Sequence, residues 1–356
     1  MYRMAAAISF LLVCNVAVAQ IVLPGGGGGG GGGTTTIVEP QGRITLTANT
    51  PVMTASATAQ TTLRYDCYHG NNVPRFNGST DILETIASCE VTTAMQNTGT
   101  GVLNANGVFD VWWSSGANHI CVATNGAGGG WASDTGGSNT ARGTGYSQLD
   151  RSTRGFTTNK NALANCYNGT TNYGSISANQ ATYLGTIATD AGAAGSVSFT
   201  FGTAASGGGA GVHNVWNMYN RVQVVSTVTD NGVAYTYTTG TIRQARASTG
   251  NQVTFVSGLA EDGLTCVDNA RVDTVGVSSA SGDFGCGLDS TTTFLQQESL
   301  VFTNAASVFR ASFSVTTAVT PQVGLHVLSA NEIGDGSNAN IFDINGKDVL
   351  SILFPM

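Results

Sequence analysis

The chain has 356 residues and a formal charge of −7; charged residues make up 10%, against a usual ~25%, and 48 residues are glycine. Lys160 and Lys347 are the only lysines, and the closest arginine group, Arg142, Arg151 and Arg154, is interrupted by Asp150, which excludes a phosphate-binding surface and makes nucleic acid an unexpected partner. Hydrophobic residues at 41% exclude general disorder, and low charge with abundant Gly and Thr predicts a mainly β fold: an antiparallel β-sandwich or jelly-roll-like body with few short helices.

The N-terminus reads as an export leader. Arg3 supplies the positive charge, Ala5 to Val13 the apolar run, and Ala17 and Ala19 an A-x-A site, so residues 1–19 are expected to be a signal peptide cut after Ala19, or an apolar N-terminal anchor if left uncut. The run is shorter than the ~20 residues of a membrane span, so no stable span is expected. Lipidation at Cys14 is the weaker reading, because Val13 stands where a small residue is wanted. Residues 20–43 form a linker dominated by the unbroken run Gly25 to Gly33, a composition that cannot pack and that tethers.

Residues 44–265 form the expected β-rich body, and 266–356 a second, C-terminal β-rich region. Ile44 to Tyr68, Gly107 to Gly116 and Ala181 to Asp190 read as strands. Asp81 to Met95 fits a short helix capped by Asp81 or a strand, its Thr and Val content weakening the helix. Two alternating runs flank Asp230, Asn231 and Gly232, which predicts a hairpin. No fixed-period repeat is evident.

Loss of Cys14 with the leader leaves Cys67, Cys89, Cys121, Cys166, Cys266 and Cys286, an even set suited to an oxidising compartment. Six cysteines permit fifteen pairings; the local one joins Cys67 to Cys89, Cys121 to Cys166 and Cys266 to Cys286, and six buried thiols are the alternative. The chain has no C-x-x-C pair and its histidines are far apart, so neither a metal nor any other cofactor is expected.

Strings that carry well-defined catalysis (G-x-S-x-G, H-E-x-x-H, a P-loop) do not occur, and no catalytic residue is assigned. Glu261 and Asp262 are adjacent, so in a strand they point to opposite faces; a solvated turn or an ion pair with Arg243 or Arg246 is the expected role, with pairing to a distant acid the alternative. Asp335 to Asp348 is rich in oxygen ligands but lacks EF-hand spacing, and a plain turn is expected. Among the aromatic residues core packing is the default. Trp131, in a glycine-rich loop, is the first candidate for a surface contact and Tyr146 the second.

The strings YHGNNVPRFNG (Tyr68 to Gly78), TARGTG (Thr140 to Gly145), ATYLGTIATDAG (Ala181 to Gly192), VWNMYNRV (Val215 to Val222) and YTYTTGTIRQARASTGNQVTFVSGLAED (Tyr235 to Asp262) occur in this order. Together, over about residues 60 to 265, they resemble a family of bacteriophage and prophage structural proteins, tail-fibre-like and largely uncharacterised. The resemblance implies a virion component and carries over no catalytic residue. In VWNMYNRV itself, Val215, Met218 and Val222 suit a core while Asn217, Asn220 and Arg221 bond neighbouring loops or a subunit, so Trp216, Asn217, Tyr219, Asn220 and Arg221 are expected to act as a structural brace.

The expectation is a non-enzymatic fibre, spike or decoration protein at a virion surface or exported from the cell, trimeric by analogy with fibres, with virion proteins or a host-surface glycan as partners. A leader is at odds with virion assembly in the reducing cytoplasm; a prophage-derived exported protein, or an uncut apolar N-terminus docked in the virion, reconciles the two. The alternatives are a polysaccharide depolymerase using Glu261 or Asp262, and a secreted bacterial adhesin or lectin.

Overall fold

A computed structural model describes residues 37–95, 102–115, 120–131, 139–274, 280–302, 309–342 and 348–356. Residues 1–36, which hold the expected leader and the glycine run, lie outside the described residues. Residues 36–356 form one compact unit. Among the described residues strands dominate, and helix is limited to pieces such as the three-residue 3-10 turn Ala245–Ala247.

Two large sheets form the sandwich, one of eight strands and one of seven. The first contains Gln252–Ser257, Gly324–Gly334 and Ala280–Leu288 as neighbours; the second contains Gln223–Asp230, Asp348–Pro355 and Leu264–Thr274. Between them, Phe255 meets Phe354 with ring centroids 4.9 Å apart, and Ala270, Val272, Phe284, Val315 and Phe342 form a further apolar cluster. The Cys266–Cys286 disulfide joins strands of the two sheets. A third sheet, of eight strands, centres on Val108–Trp113 and Thr182–Ala188, both buried along their whole length, so Trp112 and Trp113 are core residues on opposite faces. Smaller sheets join Gly42–Thr45, Thr62–Cys67 and Glu90–Ala94, and pair Asn72–Phe76 with Asp81–Thr85.

Several sequence expectations change. The boundary at 265/266 falls inside the strand Leu264–Thr274, and both large sheets mix strands from either side of it. The boundary at 43/44 likewise falls inside Gly42–Thr45. Asp81 to Met95 takes the strand alternative, as Asp81–Thr85 and Glu90–Ala94, with Cys89 between them at φ 54° and bonded to Cys67.

The hairpin at Asp230 does not form. Gln223–Asp230 pairs along its length with Asp348–Pro355, and Tyr235–Tyr237 pairs with Asn340–Phe342. The reason is the Asp230 carboxylate, which is buried and accepts the Gly207 and Gly232 amides at 2.8 and 2.9 Å while pairing with Arg246. Those bonds turn the chain out of a two-residue reversal. The alternation of Gln223–Asp230 is matched instead by that of Asp348–Pro355, an inside-outside register that buries both apolar rows.

Candidate functional site

All three local cysteine pairs form: Cys67–Cys89, Cys121–Cys166 and Cys266–Cys286. They staple turns and sheets at separations of 22, 45 and 20 residues, which removes freedom from the unfolded chain.

Trp131 is fully buried and therefore offers no surface contact, correcting the sequence expectation. Its ring lies 4.2 Å from the Arg142 guanidinium, which also pairs with Asp110 and donates to Tyr183 Oη at 2.9 Å, to Ser147 O at 2.8 Å and to Gly258 O at 3.2 Å. Burial disfavours the cation, but Asp110 and Tyr183 more than offset this and hold Arg142 above its ordinary value. Sequence alone does not show that the glycine-rich loop folds Trp131 over the largely enclosed Arg142 guanidinium. Tyr146 is half-buried, its hydroxyl donating to Gly129 O at 3.0 Å. Through Arg142, TARGTG meets ATYLGTIATDAG and the end of the long Tyr235 to Asp262 string.

Glu261 and Asp262 are engaged by other arginines than expected. Arg221 lies 3.0 Å from Asp262 Oδ2 and 3.3 Å from Glu261 Oε2, and Arg151 pairs with Glu261. Arg243 and Arg246 serve Glu332 and Asp230, because Arg243 stands directly opposite Glu332 in the strand register. The Arg221 guanidinium also covers the Trp216 ring at 5.2 Å.

The expected brace is present. Asn217 Oδ1 accepts the Ile44 amide at 2.5 Å and its Nδ2 donates to Ile44 O at 3.2 Å. Asn220, at φ 56°, donates through Nδ2 to Pro40 O and Gly42 O at 2.9 and 3.2 Å. Tyr219 Oη accepts the Thr157 amide at 2.8 Å, and Trp216 is fully buried. The two asparagines thus supply the bonds that a neighbouring strand would make along the outer edge of Gly42–Thr45.

A surface group absent from the sequence reading stands on this brace. Tyr68, 36% exposed, stacks on exposed His69 with centroids 4.2 Å apart, and the Arg43 guanidinium lies 5.6 Å from the Tyr68 ring. Gln41 O accepts both the Tyr68 and His69 amides, and His69 Nδ1 lies 3.1 Å from Asn220 Oδ1. The sequence signal was an aromatic pair directly after a cysteine and before a Gly-Asn-Asn turn, which interrupts strand alternation.

No protein-family model and no curated protein matches the chain.

Between the large sheets lies a cavity lined by Asp268, Glu332, Asp348, Asn251, Asn331 and Phe284 among others, with room for about one water. Burial, then Glu332, pushes Asp268 up to about 8. Burial also raises Glu332, although Tyr235 and Arg243 bond to it and pull the other way. Glycoside cleavage places a sugar between two carboxyls; this space holds a proton and a solvent molecule at most. Asp335 accepts the Ser337 and Asn338 amides at 2.8 and 2.6 Å, the turn that was expected; residues 343–347 of that segment lie outside the described residues. Among the described residues no three His, Cys, Asp or Glu side chains are grouped to hold a metal, and no helix is long and apolar enough to cross a membrane.

Proposed function

We propose that this chain is a non-enzymatic attachment protein of the phage and prophage structural type, displayed on a virion or exported, whose β-sandwich body binds a host-surface glycan. The observation that carries the reading is the set of three disulfides, one of which joins the two main sheets. Such bonds persist in oxidising surroundings, where an attachment protein works. The body's acids also support it: Glu261, Asp262, Asp230, Asp110 and Glu332 each face an arginine, which spends their charge on holding segments together.

Assembly as a homotrimer is part of the proposal, by analogy with fibres. Light scattering on the purified full chain tests it: a trimer mass is expected, and a stable monomer contradicts it. Free-thiol titration in denaturant tests the disulfides; no reactive thiol among the six body cysteines is expected, and six would overturn the exported setting.

A secreted bacterial adhesin is the second reading, favoured by the leader-like N-terminus together with the disulfides. A gene lying among capsid and tail genes supports the first reading, and one lying among secretion genes the second.

A further inference from the structure

We infer that His69, the exposed ring stacked on Tyr68, is a contact for a neutral saccharide; this rests on the attachment role and names the site that performs it. The orientation of Asn220 fixes the tautomer of His69. Its Nδ2 is committed as donor to Pro40 O and Gly42 O, so the atom facing His69 is the acceptor Oδ1. His69 Nδ1 therefore carries the proton, and in the neutral ring Nε2 presents a lone pair. Among the described residues Nε2 has no hydrogen-bond partner, and the residue is exposed.

The stack is also rigid. Arg43 is itself buried and tied to Pro51 O at 2.8 Å and to Asn220 O. Cys67, bonded to Cys89, immediately precedes Tyr68, and Gln41 O holds both following amides. A ring surface fixed before binding loses little entropy when a ligand arrives.

The complementary ligand has a flat face of C–H bonds and a hydroxyl at its rim that donates to Nε2. A pyranose ring meets both conditions. An acceptor at Nε2 offers a carboxylate or phosphate no donor, which disfavours acidic sugars and nucleic acid at that atom.

The test uses the full chain and three probes: the methyl glycosides of glucose, galactose and N-acetylglucosamine. With only four histidines, the imidazole C–H resonances are separable by NMR, and His69→Gln assigns the relevant one. Saturable movement of the His69 resonance with at least one probe is expected, with His213 and His326 unmoved and the response lost in Tyr68→Ala. Adsorption to bacterial cells is expected to fall at least tenfold in His69→Ala, with thermal unfolding unchanged. Adsorption within twofold of wild type in both variants, or no movement with any probe, overturns the assignment. Loss of adsorption in His69→Ala without any probe response would give the stack to a partner other than a saccharide. A wild type that adsorbs to no cell contradicts the attachment role itself, independently of the probe result.

Discussion

Asn217 grips Ile44 at both its amide and its carbonyl, across 173 residues of sequence. The side chain stands where an adjoining strand would be, so the outer edge of the first strand is held by an amide while its inner edge is laddered to Thr62–Cys67. Arg43 and the Tyr68–His69 stack are carried on that strand and its neighbour.

Replacing Asn217 by Ala leaves a buried donor and a buried acceptor without partners. A loss of about 2–4 kcal/mol is expected in denaturant unfolding. Asn217→Asp retains the acceptor but opposes Ile44 O with a second oxygen, and is expected to be no better than Ala.

The Cys266–Cys286 bond closes a loop of 20 residues between the two large sheets. The double change Cys266→Ala with Cys286→Ala should cost about 3 kcal/mol, and loss of Cys121–Cys166, with its longer separation of 45, about 4 kcal/mol. Unfolding midpoints of the two variants in the same buffer check both the size and the order.

His213 is fully buried against Phe199, with centroids 4.8 Å apart and neither ring nitrogen partnered, and burial lowers it to about 3. The unfolded chain takes up a proton below pH ~6.5 that the folded chain refuses, so stability falls as pH drops from there towards 3, by up to about 1.4 kcal/mol per pH unit. His213→Phe should flatten this acid limb and leave neutral stability equal or higher. Unfolding measured at pH 4 and pH 7 decides it.

Asp268 has the opposite sign. Its folded value near 8 means the native state keeps a proton that the unfolded state releases above ~4, so stability is lost as pH rises from about 4 to 8. His326 acts in the same direction: both its nitrogens face acceptors, Asp289 Oδ2 at 2.7 Å and Val323 O at 3.0 Å, which outweigh burial and raise it. Its stabilisation is complete below the ordinary histidine value and is lost as pH rises through the raised one. Asp268→Asn should therefore gain on wild type progressively between pH 5 and pH 8, measured by thermal unfolding.

Glu261 is partly exposed in its pairs with Arg151 and Arg221. Glu261→Gln should change stability by less than about 1 kcal/mol, as for surface ion pairs in general. It should also leave cell adsorption unaltered, because the residue fastens loops through Arg151 and Arg221.

The β class, the strands Val108–Trp113 and Thr182–Ala188, the cysteine pairs and the asparagine brace were legible because each rests on local signals: alternation, β-branched residues, short separations and a polar residue between core positions. The hairpin at Asp230 failed because a buried ion pair with Arg246 outcompetes good turn chemistry. Trp131 failed because glycine around it reflects close packing: a Cβ at Gly130 would come within 2.1 Å of Val108 O, and one at Gly128, at φ 82°, within 1.6 Å of Val102 O. The Tyr68–His69 surface and the Asp268 cavity depend on contacts between distant segments, which periodicity does not encode.

The most direct test incubates the purified full chain with a panel of bacterial cells and measures, in the same samples, protein sedimenting with the cells and reducing ends released from their surface glycans. Saturable adsorption to some of the cells is expected, with no release above a protein-free control. Steady release of reducing ends, or no adsorption to any cell, would contradict the non-enzymatic attachment role.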